Sequence, residues 1–337
     1  MGDRISRGSI SGLASSKRSF VSRQPPHVSF EFFPPKTPNG WDKLKETAAH
    51  LAEFEPDFTS VTFGAGGSGN VRSLEACLAV RSVMDADVVP HLSCIGQTRD
   101  MIDAHLEGYK NAGFTRVLAL RGDVPDVSPD VSPDVPIDAP STEVAFPPGG
   151  FRYASELVEF IKSRGEFHIL VGCYPEGHPE ATSLQTDIDN FIRKVEAGAD
   201  AAVTQYFFNN AGYFHFVDEV RSRGLDTPIV VGLMPVWPYQ QVARFSEKCG
   251  ADVPLWIKKR MEGYQDDPKS QFEFAVEVAV TQSEELLRNG APGIHFYTLN
   301  RPEAIVRICE HLRGQQVEKG PSDDIGFGDM EIPASLS

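Results

Sequence analysis

VSFEFFPPKTPNGWDKLKETAAHLAEFEPDFTSVTF (residues 28–63) holds one complete strand–helix–strand unit. Its two ends, VSFEFF (28–33) and FTSVTF (58–63), are short and rich in aromatic and β-branched residues, as strands are. Its middle, WDKLKETAAHLAEF (41–54), reads as a helix. Two strands joined through a helix run parallel, because the crossover returns the chain to the edge from which it started. The same beat recurs along the sequence. Further strand-like runs are VVPHLSCI (88–95), RVLALRGD (116–123), HILVGCY (168–174), AAVTQYF (201–207), PIVVGLMP (228–235) and GIHFYTL (293–299). In SLQTDIDNFIRKVEAG (183–198), Leu184, Ile188, Phe191, Ile192 and Val195 form one apolar stripe between an N-cap at Ser183 and a C-cap at Gly198. Eight such units predict an α/β fold, a (β/α)8 TIM barrel, with extra helices between strands 7 and 8 at 238–290. GAGGSG (64–69) fits G-x-G-x-x-G after the second strand, but a lone match is weak evidence and the eightfold beat points to a closed barrel over a Rossmann fold.

The 337 residues suit a domain of this size. A net charge of −15 argues against a nucleic acid or an anionic membrane as the main partner. No apolar run is long enough to span a bilayer. The five cysteines, Cys77, Cys94, Cys173, Cys249 and Cys309, are widely spaced without a C-x-x-C. They read as reduced thiols of a cytoplasmic protein, with no metal site. Residues 1–26 read as a disordered tail, although their Ser- and Arg-rich composition also fits a transit peptide. Residues 124–150 carry a V-S-P-D repeat and read as a flexible Pro/Asp-rich insertion, and 315–337 as a second disordered tail.

A barrel of this kind places its active site where the strands' C-terminal ends meet. Those ends carry Glu31, Thr62, His91, Arg121 with Asp123, Tyr174 with His178, Gln205, and Tyr297 with Arg301. In period-two alternation Val28, Phe30 and Phe32 face the outer helices, which turns Glu31 into the barrel mouth. Desolvation there raises a carboxyl pKa and suits it to general acid catalysis; pairing with an interior cation is the equal alternative. Asp123 alone reads as a turn residue, His91 as an interior histidine, and Arg193 and Lys194 as a solvated helix face unless a phosphate lies nearby. GAGGSG (64–69) could cradle a phosphate, although a lone Gly-rich turn is weak evidence.

SFEFFPPKT (29–37), TSVTFGAGGS (59–68), PHLSCIG (90–96), LALRGD (118–123), YPEGHPEA (174–181), AGADAAVTQYFF (197–208), GLMPV (232–236) and HFYTLNRPE (295–303) together resemble the successive motifs of the methylenetetrahydrofolate reductases, in that family's order over 27–314. The resemblance implies an FAD-binding barrel that reduces 5,10-methylenetetrahydrofolate to 5-methyltetrahydrofolate in one-carbon metabolism and methionine biosynthesis. It implies a ping-pong exchange with NADH or NADPH at a shared face, and a homo-oligomer. Carried over residue by residue, Glu31 matches the general acid on N10, and Asp123 a carboxylate beside pterin and flavin. Gln205, Phe245, Tyr297 and Arg301 match substrate-binding residues. Thr62, His91, Leu120, Arg121, Gly122, Asp123, Tyr174, His178, Asp187, Asn190, Arg193, Lys194 and Ala199 match FAD contacts. The turn GAGGSGNVRS (64–73) and the acidic insertion depart from the family's usual pattern. The family's large regulatory domain is not expected, and a short barrel of bacterial type leans to NADH. The alternative is a pterin-binding methyltransferase barrel without flavin.

The repeat contributes no core residues. Deleting residues 126–140 is therefore expected to leave the thermal melting midpoint unchanged; a large drop would show that the insertion supports the fold.

Overall fold

The computed structural model describes residues 26–63, 69–123 and 146–314. The expectations for the two tails, for most of the insertion and for the glycine-rich turn at 64–68 lie outside the described residues. The elements follow the predicted alternation: β1 (Val28–Phe32), α1 (Pro38–Ala52), β2 (Phe58–Val61), α2 (Gly69–Arg81), β3 (Asp87–Ser93), α3 (Arg99–Asn111), β4 (Arg116–Leu120) and α4 (Ala154–Arg164). They continue with β5 (His168–Cys173), α5 (Leu184–Glu196), β6 (Ala201–Thr204), α6 (Asn210–Ser222) and β7 (Ile229–Leu233). Three helices, α7 (Tyr239–Cys249), α8 (Leu255–Gly263) and α9 (Pro268–Arg288), precede β8 (Ile294–Tyr297) and α10 (Glu303–Gly314). The eight strands are parallel, pair in sequence order and close β8 onto β1. This is a (β/α)8 TIM barrel with the extra helices where the sequence places them.

Strand alternation sorts the core into two layers. Phe30 and Phe32 of β1 are fully buried in the shell between strands and helices, with Leu44, Ala48 and Leu51 of α1. The lower barrel interior is a separate apolar cluster of Phe58, Val89, Leu118, Leu170, Ala201, Val203 and Val230. Helix α5 begins as expected, with the Ser183 hydroxyl accepting from Thr186 N. Its end differs by one residue. Ala197 is the C-cap, and Gly198 follows at φ 115°, the left-handed position where glycine carries no steric cost. Residues 146–150, the end of the expected insertion, are among the described residues. Gly150 N donates to Pro147 O, and a Cβ on Gly150 would lie 2.6 Å from Gln97 O, so this turn packs on the loop after β3. All five cysteines are free. Among the described residues, no helix is long and apolar enough to cross a membrane.

The seam between the first and last strands has its own fastening. Thr298 Oγ1 donates to Glu31 O at 2.6 Å. Asn300 adopts φ 51°, a left-handed conformation that asparagine tolerates, and its amide grips both backbone groups of Phe33. Phe33 N donates to Asn300 Oδ1 at 3.1 Å, and Asn300 Nδ2 donates to Phe33 O at 2.9 Å. Asn300→Ala loses both bonds and leaves two half-buried backbone groups unpaired, which is expected to cost about 1–3 kcal/mol. Chemical denaturation would read this as a lower midpoint at unchanged slope.

Candidate active site

The upper interior of the barrel is polar, and three neighbouring strands build it. The register sets Glu31 of β1 opposite Ser60 of β2 and Tyr297 of β8, and Ser29 opposite His295. Alternation turns all five inward. Ser29 Oγ lies 2.8 Å from His295 Nδ1, and Ser60 Oγ lies 3.1 Å from His295 Nε2. Ser60 also stands opposite Glu31, and its hydroxyl acts on the carboxyl in the sense of a hydrogen-bond donor. His91 of β3 faces the same carboxyl, with Nε2 3.5 Å from Glu31 Oε2, and His295 Nε2 lies 3.9 Å away. No lysine or arginine forms an ion pair with Glu31 among the described residues, so the interior-cation alternative has no support here.

Burial dominates the electrostatics of this cluster. Desolvation raises the Glu31 carboxyl above the usual range; His91 and Ser60 pull the other way with smaller effect. Desolvation pushes His91 down to about 4 and His295 to about 3, so both rings are neutral near pH 7. The Glu31 side chain keeps 17% of its surface exposed, which leaves the carboxyl reachable from the mouth. A carboxyl that favours its protonated form, set among neutral rings at an open mouth, can deliver a proton to a bound molecule.

Tyr297 stands above this group. Its hydroxyl donates to Thr204 O at 2.6 Å, and burial raises its pKa well above the phenol range. Gly232 makes room for it, since a Cβ there would lie 2.0 Å from Thr204 O and 2.7 Å from the Tyr297 ring. Gln205 follows β6, and its Oε1 accepts from Tyr206 N at 3.0 Å. Phe245 lies on α7 with its ring 39% exposed, and the Arg301 side chain is exposed in the turn after β8.

Most residues matched to a flavin lie on or just after β2 to β5 and in the first half of α5, while Arg193 and Lys194 lie in its last turn. Arg121 is held by Glu180 through paired bonds of 2.6 and 2.7 Å, and its Nε donates to Gly122 O. Asp123 is exposed, and its charge reaches both Arg121 and Tyr174. Tyr174 packs edge-on against His178 at 4.7 Å, and Asp187 accepts from His178 N at 3.2 Å. Arg193 donates to Asn190 Oδ1 at 2.8 Å and stays exposed. Lys194 differs from the expectation. Its Nζ is buried against Gly172 O at 2.5 Å, and desolvation lowers its pKa. Ala199 departs further. It lies in the turn between the C-terminus of α5 and the start of β6, at the end of the barrel opposite the mouth.

Two features suit a large planar ligand over this part of the mouth. His91 Nε2 is buried without a hydrogen-bond partner, and buried polar atoms seldom stay so. Gly122, at φ 87°, approaches Ser93 so closely that a Cβ would lie 2.1 Å from its Oγ, so only glycine fits at this turn after β4. Arg193 and Asn190, side by side on α5, offer hydrogen-bond donors to an anionic group. The donor set fits a phosphate-bearing aromatic cofactor. Ser29, Ser60, Gly232 and His295 escaped the sequence reading. A signal existed for three of them: each lies two residues before a strand-end residue already singled out, on the same inward face.

Comparison with known proteins agrees with this geometry. The family model described as methylenetetrahydrofolate reductase matches residues 17–313. The 5,10-methylenetetrahydrofolate reductase of Escherichia coli (strain K12) is 35% identical over 286 residues, covering 85% of this chain and 90% of that protein. The methylenetetrahydrofolate reductase (NADH) 1 of Arabidopsis thaliana is 33% identical, covering 84% of this chain but 48% of that one. Among solved structures, an uncharacterized protein from Clostridium thermocellum, described as binding two copies of 5-methyl-5,6,7,8-tetrahydrofolic acid, aligns with a TM-score of 0.55 at 14% identity. It covers 87% of this chain and 96% of that one, and supports the fold alone.

The raised Glu31 pKa has a signature in stability. The folded protein binds this proton more tightly than the unfolded chain, so its contribution is full below the unfolded pKa and is lost as pH rises through the folded value. The depressed histidines act in the opposite sense, but Glu31→Gln retains both of them. The variant's melting temperature minus the parent's is therefore expected to rise as pH climbs above the ordinary carboxylate range. A flat difference in calorimetry would place Glu31 in an ordinary carboxylate environment.

Proposed function

The chain belongs to the methylenetetrahydrofolate reductase family and is thereby an oxidoreductase of folate chemistry; we propose that it works by general acid catalysis from Glu31, with hydride from NADH or NADPH and FAD as cofactor. The observation that carries this reading is the buried carboxyl of Glu31 at the barrel mouth, without a lysine or arginine partner among the described residues and with its pKa raised by desolvation. The methylene carbon of the substrate bridges N5 and N10, and N10 is a poor leaving group until protonated. Glu31 donates its proton to N10. The N10–methylene bond then breaks with its electron pair going to N10, and the carbon is left as an iminium on N5. Hydride addition to that carbon gives the 5-methyl product.

The other residues hold and bias this arrangement. Asp123, exposed beside Arg121, places negative charge where the iminium develops. Gln205 reads the polar edge of the pterin, Phe245 offers an aromatic face, and Tyr297 and Arg301 bound the substrate side. Thr62, His91, Leu120, Gly122, Tyr174 and His178 would meet the ring system of FAD, and Arg121, Asp187, Asn190 and Arg193 its polar chain. Bound FAD supplies a two-electron store that lets nicotinamide and folate use one site in turn. Lys194 serves the pyrophosphate only if its ammonium leaves Gly172 O.

An anaerobic absorption spectrum tests the cofactor and the order of events together. Flavin bands are expected to bleach with NADH or NADPH and to return with methylenetetrahydrofolate. A protein that stays colourless with added FAD would move the flavin-free methyltransferase reading to the front. Glu31→Gln is expected to bleach normally but to reoxidise at least about 100-fold more slowly with folate, the size of a general acid contribution. Equal loss in both half-reactions would remove Glu31 from that role.

A further inference from the structure

His295 has no assigned role, yet it is wholly buried and both of its ring nitrogens are engaged. Nδ1 meets the Ser29 hydroxyl at 2.8 Å and Nε2 meets the Ser60 hydroxyl at 3.1 Å. The ring stacks on Phe58 at 5.3 Å with a 9° tilt and meets Tyr297 edge-on at 5.6 Å, so it has no room to flip. A neutral imidazole has one donating and one accepting nitrogen. Because burial holds this ring neutral, its tautomer is the property left to vary.

Two hydrogen-bond arrangements satisfy the chain Glu31–Ser60–His295–Ser29. With Glu31 protonated, its O–H donates to Ser60 Oγ, Ser60 donates to Nε2, and Nδ1–H donates to Ser29 Oγ. With Glu31 ionised, Ser60 donates to the carboxylate, Nε2–H donates to Ser60 Oγ, and Ser29 donates to Nδ1. Both arrangements keep one proton on each serine and one on the ring. They differ only in the proton on Glu31 and in which ring nitrogen is protonated. A ring fixed as Nδ1–H would leave Ser60, with a single proton, between two acceptors, Nε2 and the carboxylate, when Glu31 is ionised.

We propose that His295, clamped between Ser29 and Ser60, is a positioning residue whose tautomer switches with the ionisation of Glu31, so that both states of the acid are hydrogen-bonded during turnover. The inference builds on the assignment of Glu31 as the acid, but the switch itself needs neither substrate nor cofactor. The ionisable groups facing Glu31 are His91 from β3, and His295 and Tyr297 from β8; those facing His295 are Glu31, His91 and Tyr297. His91 does not join the chain, because its Nε2 lies 3.5 Å from the carboxyl without a hydrogen bond.

The test uses the purified full chain with 15N-labelled histidine, titrated while the carboxyl stretch of Glu31 is followed by infrared difference spectroscopy. Glu31→Gln and His295→Gln assign the two signals. The expected result is loss of the Nδ1–H resonance and gain of an Nε2–H resonance at the midpoint where the Glu31 band disappears. Ser60→Ala is expected to abolish the tautomer change while Glu31 still titrates. A His295 tautomer that stays fixed through the carboxyl transition, or a Glu31 band that never titrates, overturns the proposal. If the switch occurs but Glu31→Gln reduces folate normally, the coupling stands and the assignment of the acid fails.

Discussion

Glu31 lies on the inner face of β1, opposite Ser60 of β2 and Tyr297 of β8, where water cannot fully solvate a carboxylate. An ionised group there would ordinarily be compensated by a cation. The barrel instead surrounds it with hydroxyls and two neutral imidazoles, and so favours the protonated form. Barrel closure enforces this, because His295 reaches the site only when β8 pairs with β1. The Thr298 and Asn300 bonds across that seam therefore bear on this carboxyl as much as on the fold.

The interior divides by height. The lower layers are a dry apolar plug from Phe58 to Val230, and the polar layers begin directly above it. The plug gives rigidity to the groups above, since a close-packed interior does not deform continuously. Gly232 illustrates the tolerance involved: the absence of one Cβ lets the Tyr297 ring lie across β7 and bond Thr204 O.

The basic groups follow another logic. The chain is strongly acidic, and most cations near the mouth are already engaged, Arg121 by Glu180 and Lys194 by a backbone carbonyl. Arg193, in the last turn of α5, remains exposed beside Asn190. An anion at such a mouth would be held by local placement of a few groups and not by the field of the whole protein.

The sequence by itself determined the barrel, because a period of two in the strands and of 3.6 in the helices are local properties that a repeated βαβ unit exposes directly. It also determined that Glu31 turns inward, from the alternation around Phe30 and Phe32. It could not decide whether a cation would meet that carboxylate, since candidate partners come from strands distant in sequence and only the closed register selects among them. His295 lies 264 positions from Glu31 in the numbering and 3.9 Å away in space. The burial of Lys194 and the position of Ala199 were likewise decided by the tertiary structure. Helix spacing gives the face of a side chain, but the reach of a long one and the end of the barrel it serves depend on what packs around it.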